Sequence, residues 1–167
     1  MPSRLQIALG ALACLWIGSG AALGRGDALP NFELPTIDGP ALKTPTLRGN
    51  VVLVDFWASW CGPCRQSFTL LNRMHGELAG QGLAIVGINV DEARHDADAF
   101  LAKVPAQFTI ALDPAGVQAM DFDVQTMPSS FLFGRDGKLR WRHQGYRPSD
   151  QAKFLEAVRA ALAEAPP

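Results

Sequence analysis

Cysteine is scarce here, with three in 167 residues, and no second close pair accompanies Cys61 and Cys64. A structural zinc site takes four ligands, so this pair alone does not make one. His75, His95 and His143 show no ligand spacing with the cysteines, and no metal is expected. Arg65, not His, follows Cys64, which excludes c-type haem attachment at this motif. An excess of one charge is also missing. Fifteen basic and 16 acidic residues leave a net charge of −1, which gives no reason to expect nucleic acid as a partner. Repeats and low-complexity runs are absent. Charged residues are few at 19% against 48% hydrophobic, which excludes a disordered chain. The length suits one domain with a substantial core.

What is present centres on Val51-Val52-Leu53-Val54-Asp55-Phe56-Trp57-Ala58-Ser59-Trp60-Cys61-Gly62-Pro63-Cys64. The apolar, β-branched start reads as a buried strand. After it, Phe68, Leu71, Met74 or His75, and Leu78 recur at helical spacing, and Gly80 and Gly82 end the helix. The strand therefore delivers Cys-x-x-Cys to a helix N-terminus. Free N–H groups and partial positive charge there favour a thiolate on Cys61. Cys64 lies one turn on, within reach of Cys61. Gly62 allows close backbone approach, and Pro63 is tolerated in the first turn. A structural staple is the bland alternative, but so small a loop gains least from closure, so redox chemistry is the better reading. Asp55 interrupts an apolar run. A carboxylate there is protonated, paired, or held by a structural hydrogen bond. Trp60 reads as surface, while Trp57 suits a surface or the core.

The first 26 residues read as a signal peptide or a retained N-terminal membrane anchor. Arg4 precedes the apolar Leu5–Ile17, and small residues follow at 18–24. Cys14 falls within this segment and reads as a bystander. Residues 27–167 form the expected domain.

Phe32–Leu42 reads as a hairpin about Asp38-Gly39, although Pro35 and Pro40 limit pairing. Leu83–Val90 is the next buried strand, in a right-handed parallel crossover. A helix over 97–104, a strand over 108–112 and a helix over 116–122 are expected next. Ser130–Phe133 and Lys138–His143 flank the turn Gly134-Arg135-Asp136-Gly137. Ser149 is the expected N-cap of a last helix that buries Phe154, Leu155, Val158 and Leu162. The acidic and basic residues at 91–96 read as a solvated surface. Arg140, Arg142 and Arg147 read as a sheet-edge face. The sum is a mixed central sheet with helices on both faces.

Asp55–Cys64 resembles the active-site segment of thioredoxins, and Met127-Pro128 resembles that family's cis-proline loop. Gly87-Ile88-Asn89-Val90-Asp91-Glu92, the leader, and the extra strand and helix before Pro128 look like the TlpA/ResA branch. The likeness runs from about Leu29 to the C-terminus. Ser67 and Thr69 stand where that branch often carries Glu and Pro. The resemblance implies a thioredoxin-like α/β fold with an N-terminal hairpin and a strand–helix insertion. It implies an extracytoplasmic oxidoreductase that reduces protein disulfides, with Cys61 as nucleophile and Cys64 as resolving thiol. Asp55 would accept the Cys64 proton. Trp60, Gly62, Pro63, Met127 and Pro128 would form the substrate surface. No cofactor beyond a Cys61–Cys64 redox disulfide is implied, and a membrane thiol–electron donor is the expected partner. Some cytochrome-maturation members carry an acidic residue where Gly62 stands, so haem is not a committed target. The rival readings are a peroxiredoxin-like thiol peroxidase, which needs a lone peroxidatic cysteine, and a copper-site assembly protein, which favours wider cysteine spacing.

Overall fold

The Asp38-Gly39 turn is present between β1 (Glu33–Leu34) and β2 (Leu42–Lys43), and Gly39 takes the φ of 116° that suits glycine. The ladder is only two residues long, Glu33 opposite Lys43 and Leu34 opposite Leu42. The computed structural model describes residues 23–166. Residues 1–22, which hold most of the 1–26 leader reading and Cys14, lie outside that range.

The Val51–Trp57 run forms β3, with all seven residues buried. Its parallel neighbour β4 is Leu83–Asn89, and β5 (Thr109–Leu112) continues that parallel set. On the other side β6 (Ser129–Phe133) pairs antiparallel with β3, and β7 (Leu139–Gln144) with β6. The order β5–β4–β3–β6–β7 makes a mixed sheet with β3 at its centre.

Side chains alternate across a strand, and the two cores follow from this. Val51, Leu53 and Trp57 enter one apolar cluster, and Val52, Val54 and Phe56 enter the other. The first cluster is covered by α1 (Gly62–Leu78), α2 (Arg94–Leu101) and α4 (Gln151–Ala163) through Phe68, Phe100 and Phe154. The second takes in Phe122, just after α3 (Val117–Asp121), and Phe32, Leu34 and Leu47 of the N-terminal segment. Burying a side chain such as Phe122, which meets Phe32, Phe56, Phe131 and Phe133 edge-on or tilted, stabilises by roughly 1.5–3 kcal/mol. Asp55 falls between Leu53 and Trp57 in the alternation, so it lies on the face that α1 covers.

The helix α1 buries Phe68, Leu71, Met74 and Leu78, so Met74 rather than His75 completes the stripe. It runs unbroken past Ser67 and Thr69 into a 3-10 turn, Ala79–Gln81, and Gly82 then turns left-handed at φ 96°. Three expectations are corrected. The second helix starts at Arg94 and stops at Leu101, earlier than 97–104 at both ends. Ser149 is not a cap, because Pro148–Asp150 forms a 3-10 turn into α4, and Asp150 accepts the Arg147 N–H at 3.0 Å instead. Phe154, Val158 and Ala161 are the buried residues of α4, while Leu155 and Leu162 only flank them.

The N-terminal segment also pairs with both sides of the sheet. Gly26 and Asp27 exchange main-chain hydrogen bonds with Leu139, at the start of β7. Further on, Leu112 of β5 donates to Pro35 at 2.8 Å, and Ile37 donates to Ile110 at 3.1 Å. Arg140, on the sheet-edge strand β7, bonds Glu164 and Asp136.

Candidate active site

Parallel strands bring their C-terminal ends together. Trp57 and Asn89 are opposite one another in the β3–β4 ladder, so the loops after them are neighbours. The first loop carries Ser59, Trp60 and Cys61, and the second carries Asp91. Asp91 is buried, 6% exposed, and its carboxylate accepts the Ser59 N–H at 2.9 Å and the Ser59 hydroxyl at 3.0 Å. Asn89 Nδ2 donates to the same carboxylate at 2.7 Å, and Asn89 Oδ1 accepts the Asp91 N–H. This corrects the solvated reading of Asp91: it is an internal clamp on the segment that leads to Cys61. Its neighbour Glu92 is exposed as expected.

Cys61 is the N-cap of α1, with Pro63 in the first turn. Its Sγ accepts the Cys64 N–H at 3.2 Å, and the two cysteines are joined in a disulfide. The helix N-terminus thus points a donor and partial positive charge at the Cys61 sulfur. Cys64 is fully buried, and Cys61 is 3% exposed. Such a pair supports two-step thiol exchange, with the outer sulfur attacked or attacking and the inner one resolving.

The base of the site is aromatic. Trp57 contacts Phe68 and Phe100, Phe68 contacts Phe108, and the Arg65 guanidinium lies 5.0 Å over Phe100. Trp57 is therefore core. The cluster requires Gly87: a Cβ there would approach Ile110 at 2.9 Å, Phe108 at 3.0 Å and Trp57 Nε1 at 3.2 Å.

Asp55 is wholly buried. Its Oδ1 accepts a hydrogen bond from Ser130 Oγ at 2.5 Å, while Oδ2 has no partner. Burial pushes the carboxyl up to about 7, against the Ser130 bond, which lowers it. A carboxyl in that range passes between its two forms near neutral pH.

An open groove of about 480 Å³ runs beside Cys61. Trp60, Gly62 and Pro63 line one side, and Met127 with residues 124–126 the other. Trp60 is 70% exposed. The Met127–Pro128 peptide is cis. Pro128 itself is buried, and its C=O accepts the Gly145 N–H at 2.7 Å. The main-chain N–H and C=O of Met127 make no hydrogen bond among the described residues. Of the residues singled out in the sequence, Trp60, Gly62, Pro63 and Met127 thus border Cys61, Pro128 is buried next to them, and Asp55 lies on the sheet face that α1 covers. His95 is exposed, and His143 stacks on Trp141 and meets Asp150 at 3.3 Å. No cluster of three or more His, Cys, Asp or Glu suited to a metal occurs among the described residues.

Sequence reasoning missed Asp91, Asn89 and Ser130. The first two were accessible in principle, since Asn-x-Asp stands at the carboxyl end of a strand parallel to the one carrying the dithiol. Ser130 depends on the β3–β6 register, which no local signal fixes.

A dithiol at a helix N-terminus, on a mixed sheet with a cis-proline loop beside it, defines a thioredoxin-fold protein-disulfide oxidoreductase. The chain belongs to the AhpC/TSA family, which it matches over residues 25–142, and within it is of the TlpA/ResA type. It is 26% identical over 134 residues to thiol-disulfide oxidoreductase ResA of Bacillus thuringiensis subsp. konkukian, covering 80% of this chain and 78% of that protein. It is 30% identical over 124 residues to the thioredoxin-like protein YneN of Bacillus subtilis, covering 72% of each. Among solved structures, one described as a thiol:disulfide interchange protein DsbE from Chlorobium tepidum is 44% identical. It superposes with a TM-score of 0.83, covering 85% of this chain and all of that one.

Proposed function

We propose that this protein works outside the cytoplasm, where it reduces disulfides in other proteins. The observation that carries this reading is the Cys61–Cys64 pair at the start of α1, the helix that covers the sheet face on which the buried Asp55 lies. The Cys61 thiolate attacks one sulfur of a substrate disulfide, and the other sulfur leaves as a thiolate that takes up a proton. Cys64 then loses its proton to Asp55 and attacks Cys61 Sγ. The Cys61–substrate bond breaks, and the second substrate sulfur leaves. The substrate has gained two electrons, and the enzyme is left with the Cys61–Cys64 disulfide. In this reading Trp60, Gly62, Pro63, Met127 and Pro128 receive the substrate segment, and the open main-chain groups of Met127 pair with it.

The location rests on the leader, residues 1–26, as signal peptide or anchor. An oxidising compartment does not restore the dithiol, so a membrane thiol donor must return two electrons to it. The test is an insulin-reduction assay driven by dithiothreitol, together with a redox titration. Catalysed reduction is expected, with a potential nearer the ~−270 mV of thioredoxin than the ~−120 mV of the oxidant DsbA. A potential at the oxidising end would reverse the direction. Peroxide consumption without insulin reduction would favour the thiol peroxidase.

A further inference from the structure

We infer that Ser130 is a positioning residue for the acid–base step: its hydroxyl holds Asp55 Oδ1 and so assigns the transferred proton to Oδ2. The inference rests on the proposed role of Asp55 and goes one residue beyond it.

The geometry is local and complete. Asp55 and Ser130 are direct partners in the antiparallel β3–β6 ladder, and both are fully buried. Side chains opposite one another in such a ladder share a face and lie close together. The partner of Asp55 on the other side is Gly87, which brings no side chain and has no room for one. Of the two direct ladder partners, then, only Ser130 offers Asp55 a polar group. A carboxylate only accepts, so the serine must donate its single proton to it. That occupies Oδ1 at 2.5 Å and leaves Oδ2 buried and unbonded. A protonated Asp55 keeps the same bond if its proton sits on Oδ2. Placed on Oδ1, the proton would compete with the serine for that oxygen.

Ser129 does not substitute for Ser130. It points to the opposite face, and its hydroxyl bonds the Thr126 C=O at 2.7 Å. Ser130 also stands two residues after Pro128, so the strand that ends the substrate loop is the strand that orients the acid. The titratable groups on this face are Cys61 and Cys64 from the start of α1, His143 opposite Ser130 on β7, and Tyr146 and Asp150 beyond it. The two influences on the Asp55 proton are burial, which raises its affinity, and the Ser130 bond, which lowers it. Loss of the hydroxyl therefore leaves less Asp55 ionised at neutral pH, and less able to accept from Cys64.

Ellman's reagent separates the steps. The reduced protein releases one thiolate when Cys61 attacks and a second when Cys64 resolves the mixed disulfide. In Ser130→Ala the first phase should match the parent. The second should slow at least threefold at pH 7, and its pH midpoint should move to higher pH. Ser130→Thr should restore it and Ser130→Val should not; these two share a shape, so they carry the test if the alanine variant is unstable. In an Asp55→Asn background, Ser130→Ala should add nothing. Equal slowing in that background, or an unmoved second-phase profile, overturns the inference. Carbon-13 titration of the Asp55 carboxyl separates this from the catalytic reading. An upward move in Ser130→Ala is the expected result; if Asp55→Asn nevertheless reacts normally, the acid–base reading of Asp55 fails and takes the positioning role with it, whereas an unchanged titration overturns the inference alone.

Discussion

Asp91 grips Ser59 twice, by the main-chain N–H at 2.9 Å and by the hydroxyl at 3.0 Å, two residues before the first cysteine. Removing the carboxylate strands the Ser59 N–H and the Asn89 amide, and each buried group left unpaired costs about 1–3 kcal/mol. Asp91→Ala should therefore lower the melting temperature by several degrees and slow insulin reduction. Glu92→Ala, at an exposed position, should stay within about 0.5 kcal/mol of the parent. Thermal unfolding followed by circular dichroism compares the two, and equal melting temperatures would remove the clamp.

Asp55 makes stability depend on pH. Its carboxyl sits at about 7 in the folded protein against 3.8 unexposed to burial. Between those values the folded state holds a proton that the unfolded chain has lost, so stability falls as pH rises. The contribution is intact below about pH 4, is lost through pH 7, and is flat above. Its size is on the order of 4 kcal/mol. Asp55→Asn should flatten this stretch and be the more stable protein at pH 8. Urea unfolding from pH 4 to 8 measures both, and parallel curves would contradict the burial argument.

The same variant should react slowly. Asparagine can hydrogen-bond but cannot take a proton from Cys64, so resolution of the mixed disulfide should fall about tenfold or more near neutral pH. Attack by Cys61 should be unaffected. An unchanged second step would leave Asp55 as a structural residue only.

Cys61→Ser should abolish insulin reduction, because Cys64 is buried and lacks the helix-end position. Cys64→Ser leaves the attacking thiol in place without a resolving one. Expressed with its own leader, it should accumulate disulfide-linked adducts that collapse on reducing gels. Mass spectrometry of the adducts names the substrates. Adducts made only of cytoplasmic proteins would defeat the proposed location.

Trp60 projects from the dithiol loop with 70% of its surface free. Trp60→Ala should change stability by less than about 0.5 kcal/mol. It should raise KM for insulin while leaving the reaction with Ellman's reagent near the parent rate. A KM equal to the parent's would detach Trp60 from the docking surface.

The central strand, the dithiol helix and the β6–β7 hairpin were legible because each rests on local information: a β-branched run, a stripe at Phe68, Leu71 and Leu78, a Gly-x-x-Gly turn. Asp55 stood out as the one carboxylate in an apolar strand. The rest depended on tertiary pairing. Asp91 looked like one charge in a run of six residues, four of them charged at neutral pH, and it is its bonds to Ser59 and Asn89 across neighbouring strand ends that hold it inward. Ser130 looked like an ordinary strand residue until β6 lay against β3. Ser149 lost the cap because Pro148 starts a 3-10 turn one residue earlier.

The N-terminal segment that pairs with Leu139 and then with Ile110 and Leu112 occupies main-chain groups that an outer strand otherwise leaves bare. A bare outer strand would invite any extended chain to zip onto it, wherever that chain's cysteines lay. Here the protein's own residues 35–37 occupy the β5 margin, and residues 26–29 the beginning of β7. Beside Cys61, the main-chain groups of Met127 stay unpaired among the described residues. Self-occlusion along these two stretches removes places where an extended polypeptide could otherwise pair away from the sulfur.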